Sequence, residues 1–192
     1  MMTEEWDISV TRSGRRSISI SVPGGNRVAV KAPYRISDRE IRGFLEEKKD
    51  WIRKQMEKIS RVEEESARAG HLTATQLQEL ADRALQILPE RVEWFADRIG
   101  VSYGRITIRS QKTCWGSCSE KGNLNFNCLL MLAPPEVADY VVVHELCHRL
   151  EMNHSRRFWE LVERQLPDYR ERRRWLKENG SVLMRRMMEG GT

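Results

Sequence analysis

The chain has 192 residues and a formal net charge of +5, with 40% hydrophobic and 32% charged residues. This length suits one domain, or one domain with a small appendage, and the composition excludes disordered and membrane-spanning classes, since no apolar run approaches the roughly 20 residues that cross a bilayer. Residues 1–7 are acidic and lack the pattern of a secretory signal, so we expect a cytoplasmic protein without a membrane partner.

The N-terminal part of the sequence predicts a hairpin followed by a helix. Hydrophobic residues alternate with other residues in 16–22 and 27–31, on either side of a Pro-Gly-Gly-Asn turn, as in two antiparallel strands. Ser37 and Glu40 have the spacing of a capping box, so a helix should begin there, and apolar residues then recur at helical spacing. We expect residues 1–70 to form this hairpin and one long helix.

The middle of the chain predicts a helix and two strands. Residues 75–99 carry an apolar face at helical spacing, although Pro89 should kink or divide the helix. Residues 103–109 indicate a strand, residues 110–123 a loop, and residues 124–132 a second strand.

The C-terminal part predicts three helices. Residues 137–150 are mostly apolar and follow two prolines, which is typical of a buried helix with a proline start. Ser155 can cap the next helix, and Asp168 with Glu171 forms a capping box for the last one. Gly180 should end that last helix.

The sequence His144-Glu145-Leu146-Cys147-His148 predicts a zinc site on the buried helix. Two histidines four residues apart lie on one helical face, so both imidazoles can bind one ion. A catalytic Zn²⁺ takes three protein ligands and leaves a fourth position for water. We expect His154 to supply the third ligand, one Zn²⁺ per chain, and Glu145 to act as the general base on the zinc-activated water.

The third ligand has alternatives. The spacing of His154 matches the zinc motif HExxHxxGxxH, but Glu151 stands at the position of the glycine that allows a sharp turn. Asn153 can adopt a left-handed conformation instead. A carboxylate of the next helix, Glu160 or Glu163, is the alternative ligand.

The four cysteines favour free thiols, because the chain is of medium size and shows no export signal. They are Cys114, Cys118, Cys128 and Cys147. A second zinc site at Cys114 and Cys118 is the alternative, but it would need two further ligands.

Basic residues are concentrated in one segment. Residues 155–188 contain ten basic and five acidic side chains, so this segment carries the entire net charge of the chain. The basic C-terminal helices can therefore attract nucleic acid or another anion, and a solvated helical face is the alternative interpretation.

Four segments carry a resemblance to a known family: WGSC at 115–118, GNLNFN at 122–127, residues 140–148, and NHS at 153–155. Together they closely resemble the YgjP-like family of predicted metal-dependent hydrolases, which is related to SprT-like and M48-type metallopeptidases. The resemblance extends more loosely to the N-terminal hairpin and helix. It implies an α+β fold with a zincin-like core, in which an HExxH helix and a small β-sheet form a catalytic domain at 71–192. The hairpin and helix would form an N-terminal extension, and both parts would belong to one compact unit.

The resemblance also implies roles for individual residues. The histidines of the HExxH and NHS segments, here His144, His148 and His154, are the expected metal ligands, and Glu145 is the expected catalytic residue. Arg149 departs from the pattern, since zincin motifs usually have an uncharged residue there.

Substrate contacts are expected around the metal helix. In zincins an edge strand above this helix commonly aligns an extended peptide, and residues 124–132 are the candidate strand. Five residues are predicted to contact substrate: Trp115, Gly116, Ser117, Asn125 and Asn127. A packing role for Trp115 and a solvent-facing position for the asparagines are the alternatives.

Three functions fit this pattern. The first is a zinc metallopeptidase acting on peptides or proteins. The second is a metal-dependent nucleotide (triphosphate) pyrophosphatase, an activity attached to some relatives, in which Arg156 and Arg157 would hold phosphate oxygens. The third is a nucleic-acid-binding module with a structural zinc. Tyr103 and Tyr169 are the candidates for stabilising an oxyanion.

Overall fold

The computed structural model describes residues 6–187, which form two compact units divided between Glu65 and Ser66. Residues 1–5, which belong to the acidic start noted above, and residues 188–192 lie outside the described range. The elements in chain order are β1 (Asp7–Ser13), β2 (Ser19–Gly24), β3 (Arg27–Pro33), α1 (Asp38–Glu47), α2 (Lys49–Ala69), α3 (Ala74–Ile99), β4 (Ile106–Arg109), β5 (Gly116–Cys118), β6 (Leu124–Asn127), a 3₁₀ helix (Cys128–Leu132), α4 (Pro135–Cys147), α5 (Arg156–Gln165) and α6 (Tyr169–Arg186). Among the helices of residues 6–187, none combines the length and apolarity needed to cross a membrane.

The first unit contains a three-stranded sheet in the order β1-β3-β2. The antiparallel pairing of β2 with β3 confirms the predicted hairpin. β1 was not predicted, although Ile8 and Val10 alternate with polar residues, and it pairs with β3 in parallel. The sheet packs on the helices through a small core of Val28, Val30, Ala32, Ile41, Leu45 and Ile52.

The capping box that starts α1 is confirmed, but one long helix is not. The Glu40 backbone N–H donates to Ser37 Oγ at 3.3 Å, and the Ser37 N–H donates to Glu40 Oε2 at 2.8 Å. The helix ends at Lys48, which has φ −96° and ψ 8°, and α2 begins at the next residue. The apolar spacing continues across this break, so periodicity alone could not locate it.

In the second unit, α3 runs through Pro89 as one helix, so of the two predicted effects, a kink or a division, the division does not occur. A proline in a helix removes one backbone hydrogen bond and costs about 3 kcal/mol. The buried face of α3 continues on both sides of the proline, with Ala84, Leu88 and Val92 all fully buried. This packing holds the two halves in one helix.

The second sheet has the order β4-β6-β5, with β6 parallel to β4 and antiparallel to β5. The strand predicted at 124–132 is extended only to Asn127. There the Asn127 side chain accepts a hydrogen bond from the Leu129 N–H at 3.1 Å and begins the 3₁₀ helix. The predicted loop at 110–123 contains β5, a third strand that the sequence analysis missed.

The helices α3, α5 and α6 pack on α4, the buried helix that the apolar sequence predicted. The Ser155 cap of α5 is confirmed. The capping box at Asp168 is absent, because the Asp168 carboxylate accepts a hydrogen bond from Arg172 Nε at 2.9 Å instead. Gly180 does not end α6. It lies inside the helix, where a β-carbon would come within 3.0 Å of the Trp115 ring.

The contact between α3 and α4 includes a two-pronged ion pair, and we predict that it stabilises the second unit. Arg91 donates to both carboxylate oxygens of Asp139, at 2.7 and 2.6 Å. Asp139 is mostly buried, whereas Arg91 is partly exposed, so the interaction is partly screened. Replacing either residue by alanine should lower the free energy of unfolding by about 1 kcal/mol. A double-mutant cycle in urea checks this, and additive effects of the two substitutions would contradict a direct coupling.

Candidate metal centre

Three histidines meet where α4 ends and α5 begins. His144 lies in the last turn of α4, His148 caps its C-terminus, and His154 precedes the Ser155 cap of α5. One ring nitrogen from each histidine lies within 4.8 Å of the other two. The Nε2 atoms of His144 and His154 are 3.0 Å apart. Within residues 6–187, no other group of three His, Cys, Asp or Glu side chains converges in this way.

The three imidazoles pack on one aromatic ring. Phe158, on the first turn of α5, is fully buried, and its ring centroid lies 4.9, 4.6 and 4.8 Å from those of His144, His148 and His154. The helix cap at Ser155 fixes the orientation of this first turn. The chain therefore holds the imidazoles against a rigid apolar support.

The local electrostatics favour the neutral imidazoles of His144 and His154. The pKa of His144 is lowered to about 3, mainly by burial, with added contributions from the positive charges of His148, His154 and Arg173. Burial likewise lowers the pKa of His154, with added contributions from His148 and Arg173. Because the neutral form is the one that binds metals, the site suits a cation rather than bound protons.

In the turn between His148 and His154 no residue has a positive φ, so a glutamate can stand at the position of the motif glycine. His148 Nδ1 lies 3.0 Å from the backbone oxygen of Glu151, so its N–H donates there and Nε2 remains available for a metal. Asn26 is the single non-glycine residue with positive φ in residues 6–187, so the predicted left-handed Asn153 was wrong. Instead, the Asn153 side chain accepts a hydrogen bond from the Ser155 N–H at 2.9 Å.

Glu145 is buried beside the histidines and touches β5. The residue is 6% exposed, and burial raises the pKa of its carboxyl group to about 8. A β-carbon added to Gly116 would lie 2.7 Å from Glu145 Oε1 and 2.8 Å from Cγ. Only glycine therefore lets the strand approach the carboxylate so closely.

β5, and not the predicted strand at 124–132, is the sheet edge beside Glu145. β6 lies in the centre of the sheet, with both of its edges paired. The Asn127 N–H donates to the Trp115 oxygen, and the Ser119 N–H donates to the Asn123 oxygen. The backbone groups of the odd-numbered residues along β5 therefore point towards β6. Since alternate residues of a strand point in opposite directions, the N–H and C=O groups of Gly116 and Cys118 point outward.

The two predicted asparagines have different surroundings from those expected. Asn127 is fully buried, and its amide nitrogen donates to the backbone oxygens of Gln111 and Cys114, which gives it a structural role and no surface for a substrate. Asn125 donates to Ser117 Oγ at 3.1 Å. Both of these side chains lie on the face of the sheet opposite Gly116 and therefore away from Glu145.

The remaining predicted contact residues are Trp115, Arg156 and Arg157. Trp115 is partly buried and packs on Gly180 of α6. Arg156 and Arg157 are exposed, and Arg156 Nε contacts Glu160 at 2.8 Å. The alternative ligands, Glu160 and Glu163, each pair with an arginine and are not part of the histidine cluster.

Other sequence predictions concern the cysteines and Arg149. All four cysteines are free, and Cys114 and Cys118 belong to no metal-binding group among the described residues. The Arg149 charge fits the helix end, because its guanidinium donates to the backbone oxygens of Ser102 and Glu120, both at 3.0 Å.

Sequence analysis missed several residues around the histidines. Tyr140 lies one helical turn before His144, with ring centroids 5.9 Å apart, and this spacing was visible in the sequence. Trp159 stacks on His154, and Arg173 of α6 lies over Trp159. The approach of α6 to α5 is a tertiary contact, for which the sequence offered no signal.

Comparison with known proteins identifies the family. The model of the YgjP-like metallopeptidase domain matches residues 16–78 and 71–179. Two metallopeptidase zymogens are similar in structure: Pyrococcus abyssi abylysin (24% identity, TM-score 0.44) and Methanocaldococcus jannaschii jannalysin (18%, 0.43). These cover 48% and 47% of this chain, and 94% of each of those chains. No curated protein matches the sequence. The family match spans most of the chain, which therefore belongs to the YgjP-like family and is a hydrolase with a metallopeptidase domain.

Proposed function

We propose that the protein is a zinc metallopeptidase in which His144, His148 and His154 hold the metal and Glu145 is the general base. The observation that carries this proposal is the convergence of three histidine nitrogens within 4.8 Å, beside a buried glutamate. Three imidazoles and an open position are the donor set of catalytic zinc, whereas magnesium and calcium prefer oxygen ligands.

Each residue then has a defined chemical task. Bound zinc would lower the pKa of a water and polarise the attacked carbonyl group. Glu145 accepts a proton at its carboxylate when the water oxygen forms its bond to the carbonyl carbon. It then gives that proton to the amide nitrogen as the C–N bond breaks. The Glu151 carbonyl keeps the proton of His148 on Nδ1, which holds that imidazole in one tautomer.

The substrate is proposed to bind as an additional strand along β5. The outward N–H and C=O groups of Gly116 and Cys118 offer a peptide backbone hydrogen bonds of the kind that pair strands. Gly116 is also the residue that touches Glu145. A peptide bound there would therefore run past the proposed base.

The third ligand can be tested by metal binding alone. We expect His154→Ala to weaken zinc affinity by more than about a hundredfold, because loss of an outer-shell partner already costs about tenfold to a hundredfold. Glu160→Gln and Glu163→Gln should stay within about twofold of the wild type, since both are surface ion-pair residues. Competition with a chelator measures the affinities. A larger loss in either glutamate variant than in His154→Ala would contradict the histidine assignment.

The reaction class can be tested with two substrates in parallel. Zinc-loaded protein is incubated with an unfolded protein mixture and with a nucleoside triphosphate, and the Glu145→Ala variant serves as the control. Peptide cleavage that the variant loses supports the metallopeptidase. Triphosphate hydrolysis that the variant loses, without peptide cleavage, contradicts it and favours the pyrophosphatase.

Acidic side chains neutralise part of the basic segment, so nucleic acid is not part of the proposed function. Three arginines of the basic segment have carboxylate partners: Arg156 with Glu160, Arg170 with Glu163, and Arg172 with Asp168. These pairs reduce the uncompensated positive charge that phosphate binding requires.

A further inference from the structure

One arginine of the basic segment lies beside the histidine cluster. Arg173 belongs to α6, and its guanidinium carbon lies 4.5 Å from the ring centroid of Trp159. Trp159 in turn stacks on His154, with ring centroids 5.7 Å apart and an interplanar angle of 28°. The two distances place the guanidinium within about 10 Å of the His154 ring.

The aromatic rings hold this arginine in position. Tyr169, one turn earlier on α6, is buried and stacks on Trp159 at 5.6 Å and 15°. A guanidinium over an aromatic face keeps its N–H groups free at the edges for hydrogen bonding, and less conformational freedom is lost when it binds a partner. The Arg173 charge also reaches the metal centre, where it adds to the burial that lowers the pKa of His154.

The charge of Arg173 is not compensated by a neighbouring acid. Its neighbours Arg170 and Arg172 each pair with a carboxylate, at 3.2 and 2.9 Å. Across residues 6–187, Arg173 forms no such pair, and its side chain is exposed. An unpaired guanidinium fixed beside a catalytic centre is suited to bind an anionic group of the substrate.

We propose that Arg173, supported by Trp159, binds a carboxylate of the peptide substrate close to the scissile bond. The inference rests on the proposed peptidase function. An extended chain advances about 3.3–3.6 Å per residue, so a separation of about 10 Å corresponds to a carboxylate within about three residues of the bond. A C-terminal carboxylate and an acidic side chain offer the same planar pair of oxygens, which a guanidinium binds with two hydrogen bonds.

Matched peptides test this specificity. One set places Glu or Gln at each of three positions on either side of the cleaved bond, and a second set ends in a free carboxylate or an amide. Either at one position of the first set or in the second set, the wild-type kcat/KM should be about tenfold higher for the charged peptide than for the neutral one. The difference should arise mainly from a lower KM for the charged peptide. Preference in the first set identifies an acidic side chain, and preference in the second identifies the C-terminus.

Three variants separate recognition from structure. Arg173→Gln should abolish the preference, so that the charged and neutral members of each peptide pair are cleaved with the same kcat/KM. Arg173→Lys should retain part of the preference, because it keeps the charge and loses the two-pronged geometry. Arg174→Gln, at the exposed next residue, is the matched control and should keep all of it.

The outcomes distinguish this inference from the proposed function. Two results would overturn the role of Arg173 and leave the peptidase proposal intact. In the first, the wild type cleaves the charged and neutral members of every pair equally well. In the second, the preference for the charged member survives Arg173→Gln. Failure of the zinc-loaded wild type to cleave any peptide would overturn both. If Arg173→Gln instead lowers hydrolysis of a nucleoside triphosphate, the anion is a phosphate and the carboxylate proposal is wrong.

Discussion

Substitution of Glu145 by glutamine is expected to lower the rate of peptide hydrolysis by about 10²- to 10⁴-fold, the range that a general base contributes. The amide keeps the shape of the side chain but cannot accept the proton of the attacking water. Zinc content should remain at one ion per chain, since the proposed ligands are the three histidines. Steady-state kinetics and metal analysis on the same preparation measure the two quantities.

The expected result distinguishes a role of Glu145 as general base from a role as metal ligand. Glu136→Gln is the matched control, because Glu136 lies exposed in the first turn of the same helix and should keep full activity. Burial penalises the charged form of Glu145, so its neutral replacement should not destabilise the metal-free protein. If zinc disappears together with activity in Glu145→Gln, the residue contributes to metal binding and its assignment as a pure base is wrong.

Features of the fold that depend on local sequence could be predicted. The capping box at Ser37 and the cap at Ser155 act within three residues, and both form as expected. The histidine pair of α4 follows from helical spacing alone. The apolar character of the same helix predicts its burial, and Glu145 is buried with it. Local rules therefore locate most of the candidate centre.

Features that depend on tertiary packing could not be predicted. Gly180 has the properties of a helix terminator, but α6 continues through it, and the absence of a side chain there leaves room for the Trp115 ring. Asp168 could cap α6, yet Arg172 binds its carboxylate. β5 has three residues, too few for a periodic signal, and its place at the edge of the sheet depends on pairing with β6.

The candidate site shows the same division. His144, Glu145 and His148 belong to one motif, whereas the surroundings of His154 involve two further helices. Trp159 reaches His154 from α5, and Arg173 reaches Trp159 from α6. A sequence read in order cannot show which of the many arginines of α6 meets that ring. Specificity residues are therefore harder to predict from the sequence than metal ligands.

Gly116→Ala is expected to lower peptide hydrolysis by about a hundredfold, because displacement of a catalytic group by about 1 Å can cost that much. The new methyl group would lie 2.7 Å from Glu145 Oε1 and 2.8 Å from Cγ, so movement of the carboxylate end alone cannot relieve the clash. Either Glu145 or β5 must shift, and the free energy of unfolding should fall by about 1–3 kcal/mol. Kinetics and urea unfolding measure the two effects.

The same substitution in the Glu145→Ala variant shows whether the clash with Glu145 causes the loss of stability. In Glu145→Ala the carboxylate and Cγ are gone, so adding Gly116→Ala should cost much less stability than in the wild type. Gly43→Ala is the control, since Gly43 lies in α1 with open space around it, and alanine there should raise stability by up to about 1 kcal/mol. An equal cost of Gly116→Ala in both backgrounds would mean that the strand is strained elsewhere. The close approach of β5 to Glu145 would then not be the reason that position 116 requires glycine.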